Sequence, residues 1–417
     1  MIAKSIFKAE NLGVMRRIVI ASLLISLTLL FPQSSNAAIK PGDICKAVGL
    51  TKKVGSTTLI CKKQGKKTLW VKQGSSSSNA ASPSKSPSPV ASPSPSPSLK
   101  ITSGLVPDYL TMNDPNDELA LRVSWKSFDK RMSQAVSPKA SVEIRTGAKT
   151  DKSRANEYLK SLIRSVAFWD DVYSPTKPVV AALSYSDEYA WMEDQWKRFG
   201  MNPKDLGGES SFTSGGASCN QGSAYLYNGL EPFFWGCLPS RGAIDVIGLQ
   251  KFAGHEFTHI VQSHLIEWKT GRYKPSALPK LFMEGSAEFY GIATASQGEE
   301  EFLKNWNSAR VNGYFGSPAE KSVIKDWNAD KWLWALNENA NNKLIPEAQG
   351  VLYYSGREIT SRLVGLKGHE GFVSFMKQTE SLQDWKKSFE NIYAITWDEF
   401  SRKMSLELVE ITKRLAP

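Results

Sequence analysis

This sequence has few long apolar runs, only four histidines, and four cysteines that show no close CxxC-like spacing. Outside the N-terminus no apolar run approaches the roughly 20 residues of a transmembrane helix, so no stable membrane span is expected after processing. None of the four cysteines shows CxxC-like spacing, which argues against a cysteine-ligated metal site and favours disulfides. The hydrophobic share of 41% is still enough for a core, and 417 residues predict more than one domain.

The net charge of +11 is confined to the first 73 residues. Residues 1–37 contain four basic residues and one acidic residue, and residues 38–73 contain nine lysines and one aspartate. The rest of the chain is therefore neutral overall. This distribution gives no reason to expect a nucleic-acid-binding catalytic domain, and no nucleic-acid partner is predicted.

Residues 1–37 have the organisation of an export signal. Basic residues precede the apolar stretch Ile18 to Phe31, and Ser35-Asn36-Ala37 follows it as a small-x-small cleavage site. The alternative, an uncleaved membrane anchor, needs a longer apolar run. The sequence therefore predicts a secreted protein in an oxidising compartment. The predicted disulfides are the short-range pairs Cys45 with Cys61 and Cys219 with Cys237.

Residues 38–73 form a predicted basic module. Apolar runs at 58–61 and 68–71, separated by a turn, indicate a β-hairpin stapled by one disulfide. With Pro41-Gly42-Asp43, two cysteines, Gly65-Lys66-Lys67 and Trp70, the module resembles a short Lys-rich repeat near the start of many secreted actinobacterial proteins. Its clustered lysines suggest weak attachment to an anionic cell-wall polymer. A solvated charged face without a ligand is the competing interpretation.

Residues 74–99 are almost wholly serine, proline and alanine, which predicts an extended, semi-stiff linker. Residues 100–417 have a globular pattern. Helical spacing of apolar residues runs from Ser153 to Tyr173, a buried strand is predicted at Val179 to Tyr185, and a β-ribbon is predicted within 211–238. Nearly every periodic segment after Ile247 is helical. Strands followed by helices predict an α+β fold.

The central motif is His255-Glu256-Phe257-Thr258-His259, in a predicted helix of roughly Val246 to Trp268. Two histidines four positions apart lie on one helix face, so both imidazoles can reach one metal ion. Glu256 is rotated by about 100° from His255, which puts its carboxylate beside the ion, where a general base must stand. Because the chain has only four histidines, a chance match is rare. The competing interpretation is two core or surface histidines beside a solvated glutamate.

A catalytic zinc ion needs a third protein ligand and an open fourth position. Glu284 lies 25 positions after His259, in a predicted helix that Pro279 can begin. The sequence Glu284-Gly285-Ser286-Ala287-Glu288-Phe289 resembles the second motif of the thermolysin and aminopeptidase superfamily of zinc metallopeptidases, the gluzincins. The resemblance implies a zincin-like domain with a mixed sheet, a predominantly helical C-terminal half, one zinc ion and Glu284 as third ligand. It also implies that Glu288 orients a ligand histidine; an ordinary exposed helix carboxylate is the alternative.

The resemblance extends more loosely over Val179 to Leu415. In related enzymes a tyrosine or histidine from the downstream region donates a hydrogen bond to the tetrahedral oxyanion. Tyr353 and Tyr354 are the candidates for that role and His369 is the reserve, with aromatic packing as the competing role for each. His264 lies five positions after the second motif histidine, rotated away from the ion, and is interpreted as structural.

The sequence thus predicts a secreted zinc-dependent peptidase that hydrolyses peptide or protein substrates with Glu256 as general base. The main alternative is a non-catalytic, wall-associated binding protein that retains the peptidase fold. A structural or adhesive protein with an accidental HExxH is a further alternative. Bond specificity, endo- or exopeptidase action, calcium sites, oligomeric state and an inhibitory pro-segment between Lys100 and about Lys177 stay open.

Overall fold

The structure is a computed structural model that describes the chain in separate ranges. The described residues are 40, 43, 51–54, 57–64, 67–72, 106–114, 116–135, 137–206, 208–213, 221–227, 231–238, 246–266, 277–312 and 322–415. The predicted export signal at 1–37, the predicted linker at 74–99, Cys45 and Cys219 lie outside these ranges. The chain divides into two units, Met1–Ser98 and Leu99–Pro417.

The first unit contains a three-stranded antiparallel sheet. Its order is β1 (Thr51–Val54), β2 (Thr57–Gln64), β3 (Lys67–Lys72). Strands β2 and β3 correspond to the predicted hairpin, with Cys61 opposite Trp70, whereas β1 is an addition that the sequence does not predict. The lysines of this sheet with described, exposed side chains are Lys52, Lys62, Lys63, Lys67 and Lys72.

The two described cysteines, Cys61 and Cys237, have no exposed surface. Neither of them is a free thiol. Their predicted partners, Cys45 and Cys219, lie outside the described residues, so the two pairings stay predictions.

The second unit is built on a four-stranded mixed sheet. Its order is β4 (Val142–Thr146), β5 (Val179–Tyr185), β7 (Glu231–Leu238), β6 (Gln221–Tyr227). Strands β4 and β7 pair parallel to β5, and β6 pairs antiparallel to β7. The burial of β5 follows from its apolar run Val179 to Leu183, which suits a strand covered on both faces. The predicted β-ribbon is confirmed as β6 and β7, but it is one edge of a larger sheet because β7 also pairs with β5.

Helices make up most of the remaining described part of this unit. They are α1 (Asp117–Ser133), α2 (Lys152–Trp169), α3 (Tyr189–Arg198), α4 (Gly208–Thr213), α5 (Val246–Leu265), α6 (Lys280–Ala295), α7 (Glu299–Asn312), α8 (Ala329–Ala340), α9 (Val351–Leu382), α10 (Trp385–Tyr393) and α11 (Trp397–Leu415). The α+β class and the mostly helical C-terminal half are confirmed. None of the described helices combines the length and apolar character that crossing a bilayer requires.

The sheet has an apolar layer on each face because side chains alternate along its strands. Val179 and Ala181 of β5 face the larger core, to which α2 and α5 contribute. Val180 and Ala182 face a second cluster that α3 and α4 cover. The motif helix α5 therefore packs on the same side of the sheet as α2.

The region between Lys100 and Lys177 supplies α1, β4 and α2. Trp125 and Phe128 of α1 lie in the larger core, and the Phe128 ring stacks on Phe168 of α2 with centroids 4.6 Å apart. Strand β4 pairs with the central strand of the sheet. The described part of this region is therefore integral to the domain rather than a separate segment laid over it.

Candidate metal centre

Helices α5 and α6 pack against each other and present polar side chains at their contact. On α5, Lys251, His255 and His259 follow at four-residue intervals and share one face. On α6, Glu284 and Glu288 are likewise one turn apart. Glu288 contacts the earlier turn of α5 and Glu284 the later one, so the two helices run antiparallel.

A glycine lets the two helix backbones approach closely. A Cβ atom on Gly291 of α6 would lie 2.7 Å from the carbonyl oxygen of Lys251 and 3.2 Å from the backbone nitrogen of His255. A side chain at this position would force the helices apart. The close approach brings the carboxylates of α6 within reach of the imidazoles of α5.

Three ligand atoms converge between α5 and α6. The Nε2 atoms of His255 and His259 are 3.1 Å apart, and Glu284 Oε2 lies 3.6 Å from the first and 3.4 Å from the second. Ligands bound to tetrahedral zinc at roughly 2.0–2.1 Å are separated from one another by about 3.3–3.4 Å. The three distances therefore fit three corners of a tetrahedral zinc site. Among the residues that the structure describes, no other group of histidine, cysteine and acidic side chains is arranged to hold an ion.

The second nitrogen of each imidazole also has a partner. His255 Nδ1 lies 3.1 Å from Glu288 Oε1, and His259 Nδ1 lies 2.8 Å from Gln262 Oε1. To bind a metal through Nε2, each ring must carry its remaining proton on Nδ1. On His259 that proton can be donated to Gln262 Oε1, and on His255 it would face the Glu288 carboxylate, whose contact has no hydrogen-bond geometry. Glu288 is 1% exposed, which excludes the alternative of a solvated helix carboxylate.

Gln262 also belongs to the centre, a role that sequence reasoning missed. Its Nε2 donates to the carbonyl oxygen of Met283 and to Ser286 Oγ, each over 2.8 Å. The side chain thus links α5 to α6 while it holds His259. Its position three residues after His259, on the same helix face, is the signal that could have identified it.

Lys251 is the second residue that sequence reasoning missed. Its Nζ lies 2.6 Å from Glu288 Oε2, on the side of the carboxylate away from His255. Lys251 precedes His255 by one turn, so helical spacing could have placed it beside the same α6 residue.

Burial and opposite charges set the protonation of these side chains. Burial lowers the pKa of His255, but the carboxylates of Glu284 and Glu288 outweigh this effect and raise the pKa well above its usual value. Burial raises the pKa of Glu284, and the two imidazoles reverse this effect and lower the pKa well below its usual range. The centre therefore favours positive charge where the imidazoles meet.

Glu256 follows His255 on α5 and is 4% exposed. Burial raises the pKa of its carboxyl group, and the two motif histidines reduce that rise. Within the described part of the chain, its Oε2 has no hydrogen-bond partner. A buried carboxylate with a raised pKa is suited to accept and release a proton near neutral pH.

Helix α9 crosses α6 beside Glu284. A Cβ atom on Gly356 of α9 would lie 2.8 Å from the Cα of Gly285, so the two backbones are nearly in contact here. Tyr353 lies one turn before Gly356 and is half-buried. Burial raises the pKa of its hydroxyl, and the carboxylate of Glu284 adds to the rise. Tyr353 therefore lies in the electrostatic field of the metal centre.

Tyr354 lies in a different environment. It is 1% exposed, and the guanidinium of Arg357 lies 5.4 Å from its ring centroid. Burial raises the pKa of its hydroxyl, with Glu358 as the next cause. These contacts favour Tyr353 over Tyr354 as the donor to an oxyanion.

The two remaining histidines lie outside the metal centre. His369 Nδ1 is 2.9 Å from Tyr290 Oη, and its ring packs against Trp169 with centroids 4.8 Å apart. His264 is exposed and lies over Tyr173, with ring centroids 4.6 Å apart. Both contacts are structural, which agrees with the interpretation of His264 and removes His369 from the candidate oxyanion donors.

Comparisons with known protein families, with curated proteins and with solved structures find no match for this chain. The centre is therefore interpreted from its own geometry and chemistry. Two imidazoles, three carboxylates and one ammonium group meet at the α5–α6 contact, in an arrangement suited to a divalent cation.

Proposed function

We propose that this chain is a secreted zinc-dependent peptidase in which His255, His259 and Glu284 bind one zinc ion and Glu256 acts as general base. The observation that carries the proposal is the spacing of the three ligand atoms, which matches three corners of a tetrahedral site. The fourth corner is left for water or substrate. The mixed sheet beside the motif helix supports the finer proposal of a zincin-like fold.

When bound, zinc supplies Lewis acidity toward a scissile carbonyl group and toward a water molecule. Glu256 takes a proton from that water and delivers it to the leaving amine. The hydroxyl of Tyr353 donates a hydrogen bond to the carbonyl oxygen as that atom becomes negative. Glu288 and Gln262 hold the ligand imidazoles, so the ligand geometry is set before substrate binds.

Elemental analysis and peptide hydrolysis by Glu256→Gln together test this function. The variant should keep its zinc, because Glu256 is not a ligand, and should lose about 10²–10⁴-fold in turnover because the general base is gone. Glu193→Gln makes the same chemical change in the pair of half-buried Glu193 with exposed Lys197 on α3 and should keep parental activity.

Each other outcome favours a different interpretation of the protein's function. A zinc-loaded Glu256→Gln variant that cleaves peptides as fast as the parent removes the role assigned to Glu256. A zinc-loaded parent that cleaves nothing in a broad peptide library favours the non-catalytic binding protein. A parent without bound metal makes the HExxH motif accidental.

The exposed lysines of the first unit support attachment of the secreted protein to an anionic cell-wall polymer. Co-sedimentation of the full chain with such a polymer should weaken steeply as salt rises, because the attraction is between exposed charges. Replacing Lys62 and Lys63 by Gln should weaken it further. If the parent does not bind at low salt, the solvated charged face is the better interpretation.

A further inference from the structure

Lys251 forms a buried ion pair beside the metal centre. Its Nζ lies 2.6 Å from Glu288 Oε2, and the two side chains are 13% and 1% exposed. Such pairs often contribute little net stability, because desolvation of both groups offsets their attraction. The position of this pair next to a metal ligand indicates a different role.

Glu288 uses its two oxygens separately. Oε1 lies 3.1 Å from His255 Nδ1, and Oε2 contacts Lys251. Neither contact has hydrogen-bond geometry, but opposite charges at 2.6 Å and 3.1 Å attract the carboxylate from two sides, so its position between Lys251 and His255 depends on both. The position of His255 Nε2, a predicted ligand atom, therefore depends on the Lys251–Glu288 pair.

The charges around Glu288 also indicate that the position of His255 depends on Lys251. Three carboxylates, those of Glu256, Glu284 and Glu288, surround the two imidazoles, and Lys251 is in ion-pair contact with the most buried of them. Without the ammonium group, Glu288 would keep the His255 ring as its ion-pair contact among the described residues, and Arg357 as a more distant cation. A buried carboxylate with less opposite charge around it is costly, so Glu288 would be less firmly held in the position from which it orients the ring.

We infer that Lys251 is a positioning residue of the metal centre, which holds Glu288 and through it orients the His255 imidazole for zinc. The inference rests on the proposed zinc site. It assigns Lys251 an effect on zinc affinity and on ligand geometry, which a residue that only stabilises the fold would not have.

Zinc affinity measured by chelator competition on the full chain tests this role. Lys251→Met removes the charge and keeps most of the stem, and it should weaken zinc binding by about 10–100-fold. The visible spectrum of the cobalt(II)-substituted protein should change with it, because the ligand field follows the ring orientation. Lys251→Arg keeps the charge and should restore most of the affinity. Lys149→Met, in an exposed pair with Asp187, should leave zinc affinity unchanged.

A double substitution shows whether Lys251 acts through Glu288. In a Glu288→Gln background, Lys251→Met should change zinc affinity by about twofold or less, because the partner is already lost. If the two losses multiply, Lys251 does not act through Glu288 and the inference is overturned. Where Lys251→Met does not fold, Lys251→Gln replaces it, and parental zinc affinity in either variant also overturns the inference.

The same titrations separate this inference from the proposed function. A parent protein that binds no zinc overturns the proposed function and the role of Lys251 together. A parent that binds zinc no more tightly than Lys251→Met overturns the role of Lys251 alone.

Discussion

Two buried clusters of charge in the second unit differ in how they are balanced. The arginine cluster consists of Asp117, Arg310, Arg357 and Glu358, all buried. Arg310 pairs with Glu358 at 2.7 Å and with Asp117 at 2.9 Å, and Arg357 lies 3.5 Å from Glu358. Two cations thus face two carboxylates, and the largely exposed Arg414 also contacts Asp117. This cluster contains its own counter-charges.

The metal centre is not balanced in this way. In the described part of the chain, the carboxylates of Glu256, Glu284 and Glu288 have Lys251 as the permanent cation in ion-pair contact, with Arg357 acting on Glu288 from farther away, and imidazoles are neutral when they bind a metal. With all three carboxylates ionised, the groups in contact carry a surplus of two negative charges, which is the charge that a divalent cation would balance. Because surplus buried charge is costly, the comparison distinguishes a cluster built for stability from one built to receive a cation.

The largest expected effect comes from Glu284→Gln, which removes a ligand and part of the surplus charge. Zinc affinity should fall by more than the roughly hundredfold that loss of an outer-shell partner costs. The zinc-free protein should lose little stability, because Glu288 still pairs with His255 and Lys251, and His259, which loses its contact with Glu284, can stay neutral with Nδ1 bonded to Gln262. Chelator competition and urea unfolding measure the two effects. Parental zinc affinity in this variant would remove Glu284 from the ligand set.

Arg310→Met should have the opposite profile. It leaves Asp117 and Glu358 buried without their main cation, so the free energy of unfolding should fall by about 3–5 kcal/mol. Zinc affinity of the folded fraction should stay parental. Arg198→Met, from an exposed pair with Asp194, should cost less than about 1 kcal/mol in the same urea titration. Equal effects of the two substitutions would contradict the stabilising role of the arginine cluster.

Gly356→Ala tests whether the α6–α9 contact serves the metal centre. The added Cβ would lie 2.8 Å from the Cα of Gly285, so the helices should separate and the unfolding free energy should fall by about 1–3 kcal/mol. Turnover should fall because Tyr353 moves with α9, and zinc affinity should fall less than in Glu284→Gln, because Glu284 stays in the chain and both ligand histidines lie on α5. Gly298→Ala has no atom within 4 Å of the added Cβ and serves as control. Parental turnover in Gly356→Ala would argue against Tyr353.

His369 shows the effect of burial without a carboxylate partner. Burial, with Arg131 as a lesser cause, lowers its pKa to about 3. The folded protein therefore keeps His369 neutral while the unfolded chain gains a proton below about pH 6.5, so stability falls as pH drops from about 6.5 toward 3. Between about pH 7.5 and pH 5.5 the loss from this residue is about 1.4 kcal/mol. Urea titrations at both pH values should show that the unfolding free energy of His369→Gln lacks this pH-dependent loss. A variant with the same pH dependence as the parent would contradict the role of His369.

Much of the secondary structure follows from apolar periodicity. Strand β5 and helices α2, α5 and α6 lie close to where the sequence predicts them, because each is long or strongly patterned. Strand β4 escaped prediction because it is short, lies at the sheet edge and carries Glu143 and Arg145. The pairing of β7 with β5 was not predicted, because parallel pairing joins distant segments without a local sequence signal.

The sequence alone determined which side chains could meet a metal from one helix. The four-residue spacing of His255 and His259 and the offset of Glu256 follow from the 3.6-residue turn, whatever surrounds the helix. Only the tertiary structure decided that Glu284 Oε2 lies near both Nε2 atoms and that Lys251 contacts Glu288. It also decided that the carboxylate of Glu284 acts on the pKa of Tyr353, whereas Glu358 acts on that of Tyr354. These contacts depend on how closely and at what rotation α5, α6 and α9 pack, and packing is a property of the whole core rather than of any local segment.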